Sequence, residues 1–229
     1  MTVLGPSMSV HSSPLSMCAV ILAAGEGKRL RPLTDRQPKP LLWVGDQTLL
    51  DRALANAAAL GLNGAQQVAV NVHHLAEQIV SAVGSRAHIL REPRLLGTAG
   101  TVAALAEWVD GRDLAIFNAD AYRSDGSIAP LLAGWSGAHP RLLVIDDPAR
   151  ADFDGHWRFA GVSLLPNRYV VELVRALPRL SEGTTPGLYE HVWRPTHERG
   201  ELELVPYPGI FIDCGTPADY AAAQCHAAQ

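Results

Sequence analysis

Leu22-Ala23-Ala24-Gly25-Glu26-Gly27-Lys28-Arg29-Leu30-Arg31-Pro32-Leu33-Thr34-Asp35-Arg36-Gln37-Pro38-Lys39-Pro40-Leu41-Leu42 is the stretch from which the rest of the chain can be read. It follows the apolar run Ala19-Val20-Ile21-Leu22, which reads as a buried β-strand. Gly25 and Gly27 carry no Cβ, so backbone N–H groups there can come close to a phosphate. Five basic residues follow within twelve positions: Lys28, Arg29, Arg31, Arg36 and Lys39. The two lysines are the only ones in the chain, and arginine fills every other permanently cationic position. A lysine kept here points to a role for a compact ammonium charge. The stretch reads as a loop that grips a polyphosphate.

Two other glycine loops are excluded. The dinucleotide fingerprint G-x-G-x-x-G needs glycine at position 30, where Leu30 stands, and the P-loop pattern G-x-x-x-x-G-K-[ST] has no match. Outward from the loop, Leu41-Leu42-Trp43-Val44 reads as a short strand. Thr48 is placed to cap a helix with Leu49, Leu50, Ala53 and Leu54 at helical spacing, which stops at Gly61. Gln67–Val72 reads as the next strand, followed by a helix from Leu75 to Val83, a strand from Ala87 to Glu92, a helix from Ala99 to Val109 and a strand from Leu114 to Phe117. One more helix and strand are expected up to Leu142-Leu143-Val144-Ile145. This alternation predicts βαβ units and a mostly parallel sheet, with ligands beyond the carboxyl ends of the strands. The basic loop, Asn71, Glu92 and Asn118-Ala119-Asp120 all fall at such ends. After Asp146 the pattern changes. Trp157–Leu165 reads as a strand with no helix before it, and Glu201–Val205 with Gly209–Ile212 resembles a hairpin, so the last third is expected to add antiparallel strands.

A length of 229 residues suits one α/β unit, and 48% hydrophobic residues supply a sizeable core. A net charge of −4 argues against general nucleic-acid binding. Cys18, Cys214 and Cys225 form no C-x-x-C pair and read as free thiols of a reducing, cytoplasmic protein. No apolar run approaches the ~20 residues of a membrane span. Residues 1–17, rich in Ser and Pro and without a basic cluster, read as a disordered extension before a single domain over 18–229. A monomer or homodimer is expected, with no nucleic-acid and no membrane partner. His73 and His74 are adjacent, which is wrong for joint metal binding.

Asp120 follows a buried strand. Asp213 ends Gly209-Ile210-Phe211-Ile212 and precedes Cys214-Gly215-Thr216-Pro217, where Thr216 is a good N-cap with Pro217 at the first helical position. Aspartate at a strand end is often only a turn former. Two carboxylates at strand ends nonetheless suit Mg²⁺, which takes few protein ligands and shares the rest with phosphate and water.

The opening stretch resembles the signature of the sugar-1-phosphate nucleotidyltransferases, L-A-A-G-x-G-x-R-L-x-P-L-T followed by P-K-P. The resemblance extends to Asn118-Ala119-Asp120 and Ile212-Asp213-Cys214-Gly215-Thr216-Pro217, which match metal sites of that family. Glu92-Pro93-Arg94-Leu95-Leu96-Gly97-Thr98-Ala99-Gly100 is similar to the L-G-T-A-G segment of mannose-1-phosphate guanylyltransferases, and the N-acetylmuramate-1-phosphate uridylyltransferases are also similar. The chain departs from the family in lacking a Glu-Lys-Pro segment in its sugar-binding half. The resemblance implies a Rossmann-like three-layer α/β sandwich and transfer of a nucleoside monophosphate from an NTP to a sugar 1-phosphate. It implies Arg29, Lys39, Asp120 and Asp213 as catalytic residues, with Mg²⁺ on the two aspartates. Leu22, Ala24, Gly25, Glu26, Gly27, Lys28, Glu92 and Gly97 would bind the nucleotide, and Asn118 and Gly161 the sugar phosphate.

A sugar phosphate has its second pKa near 6, so it reaches neutral pH largely ionised and needs no general base. This agrees with a chain that carries no convincing Ser/His/Asp or Cys/His triad. Glu92 is expected to choose the base. A carboxylate only accepts, and guanine presents two adjacent donors where uracil presents one between two carbonyls. GTP is therefore expected over UTP. Two alternatives stay open: a cytidylyltransferase acting on a phospho-alcohol such as phosphocholine, and a non-catalytic sugar-nucleotide-binding regulatory protein on the same fold.

Overall fold

Strand β1 (Met17–Leu22) shows no polar alternation because both of its faces are covered. The computed structural model describes residues 16–124, 126–177 and 185–229. From β1 the chain passes through three 3-10 turns, Lys28–Leu30, Leu33–Asp35 and Lys39–Leu41. The small hairpin β2 (Trp43–Val44) and β3 (Gln47–Thr48) follows, then α1 (Leu49–Ala59), β4 (Val68–Val72), α2 (Ala76–Val83), β5 (His88–Arg91), α3 (Gly97–Ala104), α4 (Ala106–Val109) and β6 (Asp113–Asn118). β1 pairs in parallel with β4 and with β6, and β5 extends β4 in parallel.

The second half comprises β7 (Ala121–Arg123), β8 (Arg141–Asp146), β9 (Trp157–Leu165), α5 (Asn167–Ala176), α6 (Arg194–Glu198), β10 (Glu203–Pro206), β11 (Phe211–Asp213) and α7 (Pro217–Ala227). The main sheet has seven strands in the order β10-β8-β9-β6-β1-β4-β5, and β9 runs antiparallel to both its neighbours. β11 and β7 form a separate antiparallel ribbon.

Alternation along each strand divides the core in two. Ile21, Val70 and Phe117 meet Leu50 and Ala53 of α1 and Ile79 and Val83 of α2 on one face. Val20, Ile116 and Leu142 meet Val102 of α3, Val109 of α4 and Val170 and Leu173 of α5 on the other. Each such buried aliphatic side chain stabilises by about 1.5–3 kcal/mol. A third cluster of Leu30, Leu42, Val44, Leu49, Tyr122, Cys214 and Ala223 pins the basic loop and the turn after β11 against α7. The capping hydroxyls behave as the sequence predicts. Thr48 Oγ1 accepts from Asp51 N at 3.0 Å, and Thr216 Oγ1 from Asp219 N at 3.2 Å. No helix among the described residues is long and apolar enough to cross a membrane.

Four expectations change. Glu201–Val205 and Gly209–Ile212 do not form a hairpin: β10 lies parallel to β8 at the edge of the main sheet, and β11 pairs with β7. Pro206 and Pro208 offer no N–H for a ladder between the two runs. The helix expected before Leu142 is replaced by a 3-10 turn, Ala129–Leu131, interrupted by Pro130 and by left-handed Gly134 and Gly137. Of Leu41–Val44, Leu41 ends a turn containing Pro40, so only Trp43 and Val44 pair as strand. Of the extension expected over 1–17, residues 1–15 lie outside the described residues. Met17 opens β1, and Ser16, just before the strand, accepts from Asp113 N through its carbonyl at 2.9 Å.

Candidate active site

Beyond the carboxyl ends of β1, β4, β5 and β6 lies an open cavity of about 470 Å³. Of the residues singled out in the sequence, Leu22, Ala24, Gly25, Glu26, Gly27, Lys28, Arg29, Lys39, Glu92, Gly97, Asn118 and Asp120 all line it. Asp213 and Gly161 stand one layer back. Asp213 is reached through Lys39, and Gly161 lies against Asn118, whose Cβ would be 3.5 Å from a Cβ placed there.

The glycine loop is held from beneath. Ala23 N donates to Asn71 Oδ1 at 2.7 Å, and Thr34 Oγ1 donates to Gly27 O at 2.8 Å. Gly27 has φ 63°, and a Cβ there would sit 2.8 Å from Thr34 Cγ2, so the position requires glycine. Gly25 differs: no atom lies within 4 Å of its would-be Cβ, which opens on free space. Lys28 Nζ lies 2.5 Å from Glu26 Oε2, and that hydrogen bond holds the Glu26 carboxyl below its ordinary range. Arg29 is exposed, but its guanidinium rests on Gly215, where a Cβ would come within 2.7 Å of Nη2.

Lys39 is 6% exposed, and its ammonium lies 3.0 Å from Asp120 Oδ2 and 3.6 Å from Asp213 Oδ1. The other Asp213 oxygen is 3.6 Å from Arg158 Nη2, and Arg158 Nη1 is 3.1 Å from Asp147. Backbone pairing fixes this cluster, since Asp213 faces Ala121 in the β7–β11 ribbon and Cys214 N donates to Asp120 O at 3.1 Å. Two carboxylates thus converge on one cation. That donor set fits Mg²⁺, a hard ion content with two protein oxygens when phosphate and water complete its shell. No cluster of three or more possible metal-ligating side chains exists among the described residues. His73 and His74 bind in different directions, Nδ1 of the first to Glu92 O and Nε2 of the second to Thr34 O. Burial pushes the Cys214 thiol up to about 11, and Cys18 likewise, so neither is a ready nucleophile.

Glu92 does not present its carboxylate as the sequence reading requires. It is 5% exposed, and Oε1 accepts from Asn71 Nδ2 at 2.8 Å and from Thr101 Oγ1 at 2.5 Å. Oε2 accepts from Leu96 N at 3.1 Å. A carboxylate has about four acceptor sites, so it cannot also take two adjacent guanine donors with both oxygens. Glu92 instead ties the loop, through Asn71, to the first turn of α3. Glu92→Gln is therefore expected to cost about 1–3 kcal/mol of stability, because a donor replaces an acceptor in a buried network. The ratio of kcat/KM for GTP and UTP should stay unchanged. Denaturant unfolding and that ratio check the two halves, and a shift toward UTP would restore Glu92 as the base reader.

Three features escaped the sequence. Arg158 secures Asp213 from 55 residues away in the chain. Thr101 completes the Glu92 network, legible only as a hydroxyl on the helix after Gly97. Thr185 lines the cavity because the segment beside it rests on α3, with Ala99 N donating to Pro186 O at 3.0 Å. Gly97, φ 72°, makes that contact possible, since a Cβ would lie 2.5 Å from Pro186 O.

Comparison with known proteins agrees with this geometry. The Nucleotidyl transferase family model matches residues 18–134. An Arabidopsis thaliana protein assigned as mannose-1-phosphate guanylyltransferase 2 is 27% identical over 241 residues, covering 89% of this chain and 63% of its own. N-acetylmuramate alpha-1-phosphate uridylyltransferase of Neisseria meningitidis is 35% identical over 111 residues, 45% of this chain and 47% of its own. The chain therefore spans less than two thirds of either relative. A solved Bacillus anthracis structure, assigned as a glucose-1-phosphate thymidylyltransferase, superposes with TM-score 0.78 at 18% identity over 93% of this chain and 95% of that one. That likeness is one of fold. With the family model spanning more than half of the chain, from β1 through the glycine loop to the Asp120 turn, the protein belongs to the nucleotidyl transferase family.

Proposed function

We propose that the chain transfers a nucleoside monophosphate from an NTP, GTP ahead of UTP, to a sugar 1-phosphate. A phosphate oxygen of the acceptor attacks the α-phosphorus, the bond to the β-phosphate breaks, and pyrophosphate leaves with the bonding electrons. The observation that carries this reading is Lys39, held by Asp120 and Asp213 at the edge of a cavity whose other wall is the glycine loop. An acceptor already ionised needs no base, so the work is positioning and charge neutralisation. The open backbone at Gly25 would receive the β- and γ-phosphates, with Arg29 above them. Lys39 would meet the α-phosphate and the acceptor phosphate together. Asp120 and Asp213 would hold Mg²⁺, which when bound supplies Lewis-acid neutralisation of the transferring phosphoryl group.

The preference for GTP now rests on the relatives rather than on Glu92. Guanylyltransferase similarity runs along 89% of the chain, and the uridylyltransferase similarity along 45%. The test is pyrophosphate release across four nucleotides and a series of sugar 1-phosphates. The expected result is turnover requiring both substrates, with kcat/KM for GTP above that for UTP. Equal or higher values for UTP would reverse the nucleotide assignment. Release from phosphocholine and CTP alone would favour the cytidylyltransferase reading.

A further inference from the structure

The two ends of the cavity differ in charge. Across the sheet, Asn118 of β6 stands opposite Leu22 of β1, Leu22 opposite Asn71 of β4, and Asn71 opposite Leu90 of β5. The β6 and β5 ends therefore lie three strand spacings apart, about 14 Å. Among the described residues the lining cations are Lys28, Arg29 and Lys39, all from the stretch between β1 and β2, and Lys39 is tied to Asp120 beyond β6. No cation lines the β5 end among the described residues. Leu95, Gly97, Thr98 and Thr185 form it, over the network of Asn71, Glu92 and Thr101. A ligand with a polyphosphate at one end and an uncharged ring at the other is oriented by that difference, phosphates on the loop and ring toward α3.

Most polar atoms at the β5 end are already engaged. Asn71 Nδ2 donates to Glu92 Oε1 and Thr101 Oγ1, and Thr101 Oγ1 donates to Glu92 Oε1. Leu96 N donates to Glu92 Oε2, and Ala99 N to Pro186 O. Thr98 is the exception. It lines the cavity and is exposed there, its Oγ1 accepts from Leu188 N at 2.8 Å, and its own hydrogen has no acceptor among the described residues. Leu188 is 1% exposed, so the bond anchors the hydroxyl to buried backbone. An oxygen that already accepts one hydrogen bond is polarised toward donating the next. Thr185 carries another hydroxyl at this end. It has no such anchor among the described residues, so it is free to turn and donate or accept.

We infer that Thr98 is a specificity-determining residue for the nucleobase, a fixed hydroxyl donor at the uncharged end of the cavity that selects a ring carbonyl over an amino group. Guanine O6 and uracil O4 accept, whereas adenine N6 and cytosine N4 carry donors in the corresponding places. A donor that meets a donor leaves both unpaired. The inference rests on the transfer reaction proposed above and adds to it the class of NTP. It sets GTP and UTP together against ATP and CTP, a choice that Glu92, engaged on both oxygens, does not make. A purely structural Thr98, holding only Leu188 and the turn before it, would affect all four nucleotides alike.

Calorimetric binding of GTP, UTP, ATP and CTP, each with Mg²⁺, and of inorganic pyrophosphate separates the two roles. Wild type should bind GTP and UTP more tightly than ATP and CTP by about tenfold or more. Thr98→Val keeps the branched shape and removes the hydroxyl. It should weaken GTP and UTP about tenfold, the worth of one hydrogen bond, and leave ATP, CTP and pyrophosphate within about twofold. Thr98→Ser restores the hydroxyl and should restore the preference. Wild-type preference in Thr98→Val overturns the inference, as do equal weakening of all four nucleotides and a wild type that binds ATP or CTP as tightly as GTP and UTP. Should Thr98→Val fail to fold, 6-thio-GTP decides on wild type. Its sulfur accepts weakly, so it should bind about tenfold less tightly than GTP, and equal affinity overturns the inference. If wild type binds none of the four nucleotides, the transfer reaction falls and this inference with it. If wild type binds GTP or UTP and Thr98→Val keeps the same ratios to ATP and CTP, only the role of Thr98 falls.

Discussion

Lys39→Ala is expected to lower kcat by about 10²–10³, the roughly 3–4 kcal/mol that a preorganised donor to a developing charge supplies. The size follows from how the ammonium is held. Lys39 is almost wholly buried, and the cluster that fixes it is built from backbone pairing rather than from mobile loops. It needs no reorganisation when charge develops on the transferring phosphate. Lys39→Arg should fail to rescue, because a planar fork cannot occupy the point between Asp120 Oδ2 and Asp213 Oδ1 that an ammonium fills at 3.0 and 3.6 Å. Removing the cation also leaves two carboxylates facing each other, so some loss of stability accompanies the loss of turnover. Thermal unfolding beside steady-state kinetics separates these. A folded Lys39→Ala protein with wild-type kcat would remove Lys39 from the chemistry.

What the sequence made legible was decided within a few residues along the chain. The glycine loop is one such feature, because an apolar strand followed by residues without Cβ has few other uses. The caps at Thr48 and Thr216 are another, since a hydroxyl three residues before a helical N–H makes its bond locally. Asp120 and Asp213 could be placed at strand ends for the same reason. Their meeting could not, because it depends on β11 choosing β7 as its partner. The hairpin expected between Glu201 and Ile212 failed on that same choice, which is set by tertiary packing and by prolines that deny the local alternative. Glu92 is the clearest instance in the site. Its position at the cavity was readable from the end of a strand, but its orientation depends on Asn71, 21 residues before it, and Thr101, nine residues after. A carboxylate's neighbours decide whether it reads a ligand or holds the protein together, and those neighbours come from different strands and helices.

Asp120→Ala and Asp213→Ala are each expected to lower Mg²⁺-dependent turnover by on the order of 10³ or more, several kcal/mol at about 1.4 kcal/mol per tenfold. The fold should survive both. Cys214 N still donates to Asp120 O, and the three β7–β11 residue pairs involve backbone alone. Nor is a buried cation stranded by either change. Without Asp213, Lys39 retains Asp120 and Arg158 retains Asp147; without Asp120, Lys39 retains Asp213. Asp→Asn at each position tests charge apart from shape, since the amide can still accept from Lys39 but cannot neutralise a divalent cation. The Asn variants should therefore lose nearly as much activity as the Ala variants while unfolding close to wild type. Titrating Mg²⁺ against activity, and against binding in the absence of nucleotide, shows whether the loss follows the metal. Two carboxylates serving one ion, as proposed, should not have additive effects, and the double variant should fall little below either single one. Full turnover at low Mg²⁺ in either single variant would make that aspartate a structural anchor for Lys39. Additive losses would mean that the two act at separate points of the reaction.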